Sequence, residues 1–335
     1  MPVAYHAWGR LNAARDNAIV VCHALTGDTR ADVWWGPLIG PGKLLDTDRF
    51  FVVCPNVIGS PYGSVSPVTV DQATGRPYGG HFPAATIRDT VALHRLLLDH
   101  LGVGRVAMTT GGSMGGMQVL EWGFHGEFVG SLVPLGVGGR HSAWCIGWSE
   151  AQRQAIFGDP KWRGGDYEPD GQPETGLATA RMIAMISYRA RPSFEARFGR
   201  TRMQGDDQQE VFSIESYLRY QGRKLVDRFD ANCYVHLTYQ MDSHDVARGR
   251  GAYPDVLRNI RQPTLVVGID SDVLYPVPEQ EELAQHLPDA TLAVLEASHG
   301  HDSFLIEFEA MERIIRPWME TNVIPHVQVD EGVVL

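Results

Sequence analysis

The stretch TTGGSMGGMQVLEW, residues 109–122, places Ser113 among four glycines and then continues as an apolar segment. The letters around Ser113 match G-x-S-x-G, the pattern of a nucleophilic serine on a sharp turn between a strand and a helix. The match alone is weak, because 36 of the 335 residues are glycine and the pattern can arise by coincidence. However, RVAMTTG before it is typical of a buried strand, and the residues from Met114 onward have helical spacing. This context favours a nucleophile over an ordinary glycine-rich turn.

Short β-branched runs alternate with amphipathic segments on both sides of this stretch, which predicts a mainly parallel sheet covered by helices. Residues 86–102 predict one such helix, with Thr86 as its N-cap, Asp89 in its first turn and Gly102 at its end. A long last helix is expected from about Asp302 to Glu320. The predicted strands are AIVVCHA (18–24), FFVVCPN (50–56), RVAMTTG (105–111), SLVPLGV (131–137), TLVVGID (264–270) and TLAVLEA (291–297).

The middle third of the chain has few strand signals and many helical ones. Examples are EAQRQAIF, GLATARMIAMISYRA and SIESYLRYQGRKLVDRF. We therefore predict a core domain of residues 1–139 and 251–335, interrupted by a helical lid insertion of residues 140–250.

Composition excludes several classes of function. The formal net charge of -11 argues against a broad footprint for nucleic acid or for an anionic membrane surface. No apolar run is long enough to span a bilayer, and the first residues have no apolar core of a secretory signal. The four cysteines are scattered, without zinc-like spacing or a disulfide framework. We expect a cytoplasmic protein with reduced thiols, no metal site and small-molecule partners.

A serine hydroxyl becomes a good nucleophile only beside a base, and that base needs an orienting acid. In the predicted fold, the acid and then the histidine follow the serine along the chain. The segment after the strand 264–270 offers Asp270 and Asp272, and the segment after the last strand offers His299 and His301. Position alone leaves both pairs of alternatives open.

An acyl-transfer site also needs two backbone N–H donors for the oxyanion that forms during the reaction. Met114 follows the nucleophile at the start of a helix, which makes its N–H the first expected donor. VVCHALTGD follows an early strand, and Leu25 in it is the second. We interpret His23 in the same loop as a structural histidine rather than as a base.

Several long and specific segments carry a family resemblance. They are CHALTGD, WWGPLIGPGKLLDTDRFFVVCPN, GRPYGGHFPAATIRD, GGSMGGMQVLEW, YLRYQGRKLVDRFDANCY, SDVLYP and GHDSFL. Through them the sequence resembles the homoserine O-acetyltransferase family of α/β-hydrolase-fold enzymes over nearly its whole length. RHSAWCIGWSEAQRQAIFGDP is most similar to the fungal branch, which also contains serine O-acetyltransferases and a cephalosporin acetyltransferase.

The resemblance implies roles for individual residues. Asp272 in SDVLYP and His301 in GHDSFL match the family's acid and base, so Asp270 and His299 do not. Asp302 corresponds to the carboxylate that holds the amino group of the substrate. Arg181 and Tyr188 correspond to substrate-pocket residues, with Arg181 facing the substrate carboxylate.

The reaction implied by the resemblance is acetyl transfer from acetyl-CoA to the hydroxyl of L-homoserine, in methionine biosynthesis. It would proceed in ping-pong order through acetyl-Ser113, with no bound cofactor and in a homodimer. L-serine as acceptor in cysteine biosynthesis, hydrolysis by the same three residues, and a succinyl donor remain open. A binding protein without activity is disfavoured, because it would not need the ordered nucleophile, acid and base.

Acetyl-CoA is polyanionic, whereas the chain is acidic overall, so the donor would need local positive charge. YRARPSFEARFGRTR contains five arginines, and some of them are candidates for contacts with the CoA phosphates. The alternative is that they form a solvated face or ion pairs within the lid. The five residues are Arg189, Arg191, Arg197, Arg200 and Arg202.

Overall fold

The computed structural model describes residues 1–168, 170–205 and 209–328. Within these ranges the strands form one large sheet and two small pairs. In chain order they are β1 (Tyr5–Trp8), β2 (Ala18–Val21), β3 (Ile39–Gly40), β4 (Leu45–Asp46), β5 (Phe51–Pro55), β6 (Val106–Gly112), β7 (Leu132–Leu135), β8 (Arg202–Gln204), β9 (Glu210–Phe212), β10 (Thr264–Ile269) and β11 (Ala290–Leu295).

The large sheet has the strand order β1-β5-β2-β6-β7-β10-β11. Only β1 runs antiparallel to its neighbour, and each other adjacent pair is parallel. The central strands β2 and β6 are buried along their whole length, whereas β11 at the edge is partly exposed. The predicted α/β-hydrolase architecture, a mainly parallel sheet flanked by helices, is thereby confirmed.

Helices cover both faces of this sheet. In chain order they are α1 (Ala31–Trp34), α2 (Ile87–His100), α3 (Met114–Trp122), α4 (Ala143–Phe157), α5 (Glu174–Ser187), α6 (Arg191–Arg197), α7 (Ser213–Val226), α8 (Ala231–Asp242), α9 (Tyr253–Leu257), α10 (Val277–His286) and α11 (Phe308–Asn322). No described helix is both long and apolar enough to cross a membrane.

Two hydrophobic cores lie on opposite faces of the sheet, because successive side chains of a strand point to opposite faces. In β2, Ala18 and Val20 belong to one core, which α2 and α3 cover. Ile19 and Val21 belong to the other core, which α11 covers with Met311 and its neighbours. The runs of β-branched residues in the sequence therefore reflect burial on both faces.

The predicted helix at residues 86–102 begins and ends where its sequence indicates. The Thr86 hydroxyl accepts from the Asp89 N–H, and the Asp89 carboxylate accepts from the Thr86 N–H, so that a capping box closes the first turn. Gly102 follows the helix with φ +80°, a conformation that favours glycine.

The predicted start of the last helix is wrong. Residues 300–305 form a 3-10 turn, Ile306 leaves helical geometry, and α11 begins only at Phe308. The Asp302 N–H donates to the backbone oxygen of Tyr188, 3.0 Å away, rather than entering an α-helical ladder. A tertiary contact thus replaces the first turns that the spacing had suggested.

Residues 140–250, called the helical segment below, contain α4 to α8 and the antiparallel pair β8 and β9. Helix α5 packs against both α4 and α7. The chain returns to the sheet through α9 and β10. The last residues of the predicted core domain, 329–335, lie outside the described residues.

Candidate active site

Four predicted site residues lie just past the carboxyl ends of parallel strands. Leu25 follows β2, Ser113 follows β6, Asp272 follows β10 and His301 follows β11. Parallel strands end at one edge of a sheet, so the topology gathers residues that are far apart in the sequence. The strand order, not the spacing along the chain, decides which of them meet.

Ser113 occupies a strained turn between β6 and α3, with φ 59° and ψ -127°. Such a conformation costs a non-glycine residue on the order of 1–3 kcal/mol. Its N–H donates to the backbone oxygen of Leu135 at 3.0 Å, and Ser113 itself is 5% exposed. The turn fits closely against the end of β2, since a Cβ on Gly115 would lie 2.1 Å from the Cys22 backbone oxygen.

Replacing Gly115 with alanine is expected to destabilise the fold by about 3 kcal/mol, because the new methyl group meets backbone that cannot move aside. Urea unfolding, followed by circular dichroism, measures this change. Gly147→Ala is the matched control, since Gly147 lies inside α4 with open space around it and alanine favours helix. Equal unfolding midpoints for Gly115→Ala and the parent protein would contradict the role of this contact.

His301 and Asp272 form a buried pair. The His301 Nδ1 lies 2.6 Å from Asp272 Oδ2, so this nitrogen carries the ring proton and donates a hydrogen bond to the carboxylate. Asp272 Oδ1 accepts from the backbone N–H groups of Leu274 and Tyr275, at 2.8 and 2.9 Å. The carboxylate is therefore held from both sides, and the lone pair of His301 lies on Nε2.

Burial lowers the pKa of His301, but the Asp272 and Asp302 carboxylates together outweigh burial and leave the pKa raised above its ordinary value. The ring of Tyr275 packs 5.2 Å from the His301 ring, and that of Phe304 packs 5.5 Å from it, centre to centre. Nε2 is buried and has no hydrogen-bond partner among the described residues. The geometry thus leaves this nitrogen available to accept a proton.

The alternative acid and histidine lie in other surroundings. Asp270 is exposed and accepts from the Ala297 N–H at 2.9 Å. His299 Nδ1 lies 3.2 Å from the Ser193 hydroxyl, and its Nε2 lies 3.5 Å from Glu307. Neither residue lines the cavity that contains Ser113.

A cavity of about 70 Å³ brings most of the predicted site residues together. Two larger grooves, of about 690 and 640 Å³, are formed mainly by the helical segment and contain none of these residues. The cavity is lined by Ala24, Leu25, Thr26, Ser113, Arg181, Tyr188, His301, Asp302, Phe304 and Leu305.

The N–H groups of Leu25 and Met114 have no acceptor within residues 1–168, 170–205 and 209–328. Each follows the end of a central strand, on the loop after β2 and at the start of α3. His23 in the same loop is fully buried, with Nδ1 2.9 Å from the Ala24 oxygen and Nε2 3.0 Å from Asn56 Oδ1. Both nitrogens of His23 are thus engaged within the fold.

Two cationic side chains lie near Asp302. Arg181 on α5 lines the cavity, with its Cζ 5.6 Å from the centre of the Tyr188 ring. Arg189 does not line the cavity, but its Nε lies 3.0 Å from Asp302 Oδ2. Burial raises the pKa of Asp302, while Arg189 and Arg181 oppose that rise.

Other members of the arginine cluster contact the helical segment itself. Arg202 lies 2.7 Å from Glu210, and Arg197 lies over the ring of Tyr217 at 4.8 Å. Arg200 lies over the ring of Phe212 at 5.3 Å. These contacts favour the alternative of packing and ion pairs within the segment.

Two residues next to the site were not predicted from the sequence. Arg228 follows α7 and donates to the backbone oxygen of Thr26 at 2.9 Å and to the Tyr62 hydroxyl. Tyr275 supplies both a backbone donor to Asp272 and a ring against His301. Nothing in the local sequence indicates the Arg228 contact, which depends on how the helical segment returns to the core.

Comparisons with known proteins identify the family of this chain. The profile of the alpha/beta hydrolase fold matches residues 17–308. The homoserine O-acetyltransferase of Salinibacter ruber (strain DSM 13855 / M31) is 64% identical over 323 residues, 95% of this chain and 92% of that protein. The homoserine O-acetyltransferase of Chlorobium chlorochromatii (strain CaD3) is 53% identical over 320 residues, 95% of this chain and 89% of that protein.

Solved structures similar to this chain include an esterase and an acetyltransferase. Esterase E22 has a TM-score of 0.87 and 28% identity, covering 95% of this chain and 93% of its own. Homoserine O-acetyltransferase from Staphylococcus aureus has a TM-score of 0.76 and 29% identity, covering 95% of this chain and 88% of its own. From the profile and the extent of identity, the chain belongs to the homoserine O-acetyltransferase family of α/β-hydrolase-fold proteins.

Proposed function

We propose that this protein is an O-acyltransferase that moves the acetyl group of acetyl-CoA to the hydroxyl of L-homoserine, a step of methionine biosynthesis. The observation that carries the proposal is the cavity shared by Ser113, His301, Arg181 and Asp302. A nucleophile and a base lie there beside one cation and one anion, the two charges that an amino-acid acceptor requires. The identity to homoserine O-acetyltransferases supports the same acceptor.

In the first half-reaction, His301 Nε2 takes the proton of the Ser113 hydroxyl as the oxygen attacks the thioester carbonyl. The carbonyl oxygen becomes an oxyanion, which accepts from the N–H groups of Leu25 and Met114. The carbon–sulfur bond then breaks, His301 gives its proton to the leaving sulfur, and CoA departs. Ser113 is left as its acetyl ester.

In the second half-reaction, the acceptor hydroxyl loses its proton to His301 and attacks the acetyl-Ser113 carbonyl. The same two N–H groups stabilise the second oxyanion. The ester bond to Ser113 breaks, and His301 returns the proton to its oxygen. Arg181 and Asp302 orient the acceptor through its carboxylate and ammonium groups, with Tyr188 beside them, and the order is ping-pong.

Water must be kept from the acetyl-enzyme, since it would otherwise compete with the acceptor hydroxyl. We assign this task to the helical segment, residues 140–250, as a lid on the core of residues 1–139 and 251–335. Two of its residues, Arg181 and Tyr188, line the cavity over Ser113.

An ester hydrolase is the second candidate, favoured by the similarity to esterase E22. Its nucleophile, acid and base would be the same, and water would replace the amino acid as acceptor. The two functions differ in the fate of acetyl-Ser113, so that product analysis separates them.

The decisive experiment incubates the protein with acetyl-CoA and L-homoserine, follows CoA release and identifies the product by mass spectrometry. O-acetyl-L-homoserine as the main product supports the proposal. L-serine and succinyl-CoA serve as the alternative acceptor and donor. CoA release that yields acetate alone, whichever amino acid is present, would refute the transferase and favour the hydrolase.

On the acid side of the pH profile, the midpoint of the rise in activity is expected above the ordinary histidine pKa of about 6.5. The base must be neutral, and the Asp272 carboxylate raises the pKa of His301, so that activity rises with pH through this raised value. The pH dependence of kcat/KM for acetyl-CoA measures the midpoint in the free enzyme. A midpoint at or below the ordinary value of about 6.5 would contradict the prediction. Asp270→Asn is the control and should leave the midpoint in place.

A homodimer remains part of the proposal through the family resemblance. Large exposed apolar side chains on the helical segment support it, and sedimentation velocity tests it. They are Trp144, Ile146, Ile186, Tyr220 and Tyr239.

A further inference from the structure

Arg189 contacts Asp302 without lining the cavity that Asp302 shares with Ser113. Its Nε lies 3.0 Å from Asp302 Oδ2, and each of the two side chains is 16% exposed. An ion pair so far removed from water is weakly screened by salt, unlike the pairs on the protein surface. Arg189 lies against Oδ2 as an ion pair, and no described residue hydrogen-bonds to Asp302 Oδ1, which is left for another partner.

The backbones that carry these two residues are packed into one unit. The Asp302 N–H donates to the Tyr188 oxygen at 3.0 Å. Gly300 approaches the 188–190 backbone so closely that a Cβ would lie 2.7 Å from the Ala190 nitrogen and from the Arg189 carbonyl carbon. Arg189 therefore reaches Asp302 from a fixed position and restrains the direction of the carboxylate.

Four charged groups influence the ionisation of Asp302. Arg189, Arg181 and protonated His301 favour the carboxylate, whereas Asp272 and burial oppose it. Only the ionised carboxylate attracts an ammonium group strongly. Since burial raises the pKa of Asp302, each neighbouring cation helps to keep the carboxylate charged.

We propose that Arg189 is a positioning residue that keeps Asp302 ionised and aims its free oxygen at the ammonium group of the acceptor amino acid. The proposal rests on the proposed function and extends it by a residue that does not touch the acceptor. It also gives Arg189 a role different from a contact with CoA phosphates.

The test is calorimetric titration of L-homoserine into Ser113→Ala protein, which binds the acceptor without chemistry. The comparison ligand is 4-hydroxybutanoate, which has the carboxylate and the hydroxyl but no ammonium group. Adding Arg189→Met is expected to lower the affinity for L-homoserine about tenfold or more, while the affinity for 4-hydroxybutanoate changes far less. Arg189→Lys, which keeps the charge, should recover most of the preference.

The dependence on pH separates positioning from a merely structural effect. Affinity for L-homoserine falls as the pH drops through the Asp302 pKa, and without Arg189 this fall begins at a higher pH. The loss caused by Arg189→Met should therefore shrink as the pH is raised. Arg258→Met, which removes an exposed ion pair with Asp255, is the control and should match the parent.

Two results would overturn the inference, and they can be told apart. If the parent binds L-homoserine without preference over 4-hydroxybutanoate, the ammonium site fails, and the proposed acceptor fails with it. If the parent shows the preference and Arg189→Met retains it at every pH, only the role of Arg189 fails.

Discussion

Replacing Ser113 with alanine is expected to reduce acetyl transfer on the order of a millionfold. The substitution removes the oxygen that forms the acyl bond, and no other hydroxyl from a serine lines the cavity in the described part of the chain. The fold should persist, since alanine fits the same turn with one atom fewer. The measurement is CoA release with acetyl-CoA and L-homoserine, together with the mass of the intact protein after brief exposure to acetyl-CoA.

A mass increase of one acetyl group should appear in the parent protein and be absent from Ser113→Ala. Ser131→Ala is the matched control, because Ser131 is also buried but its hydroxyl donates to the Ala107 oxygen away from the cavity. Its turnover should remain within about twofold of the parent. Near-normal transfer by Ser113→Ala would refute the nucleophile and, with it, the ping-pong order.

Replacing Asp272 with asparagine is expected to lower turnover about ten-thousandfold. Asparagine keeps the shape of the side chain but loses the negative charge that holds His301 with its proton on Nδ1 and stabilises the protonated ring. The result is a ring in the wrong tautomer and a lower His301 pKa. Steady-state CoA release measures the loss, and the pH profile measures the pKa.

Asp270→Asn tests the assignment of the acid, because Asp270 is two residues away and exposed. Its turnover should remain within about twofold of the parent, as expected for a surface substitution. Comparable losses from Asp270→Asn and Asp272→Asn would contradict the acid inferred from the His301 contact.

Much of the fold could be predicted from the spacing of apolar residues and from the residues that begin and end helices, which act over a few positions. Thr86, Asp89 and Gly102 delimit α2 by local hydrogen bonds and backbone conformation, which is why the sequence alone predicts that helix. The start of the last helix was not predicted correctly in the same way. The helix does not start at Asp302 as expected, because the Asp302 N–H donates to the backbone oxygen of Tyr188. Tyr188 lies more than a hundred residues earlier, and no local pattern can show this contact.

The candidate site divides along the same line. Chain order and the carboxyl edge of a parallel sheet predict where the nucleophile, acid and base lie. They leave two aspartates and two histidines open, because residues two positions apart share the same loop. The three-dimensional contacts distinguish them, since only His301 and Asp272 meet each other. The partner of Arg189 could not be predicted from the sequence, because packing between two distant loops brings Arg189 to Asp302.

The contact between Arg228 and the Thr26 oxygen links the helical segment to the loop that follows β2. Arg228 belongs to the helical segment, and Thr26 is the residue after Leu25, whose N–H faces the reacting carbonyl in the proposed mechanism. Moving the segment away from the core would break this hydrogen bond and release the loop that carries Leu25. In the proposed mechanism, the position of the lid segment and the position of the Leu25 oxyanion donor are therefore coupled.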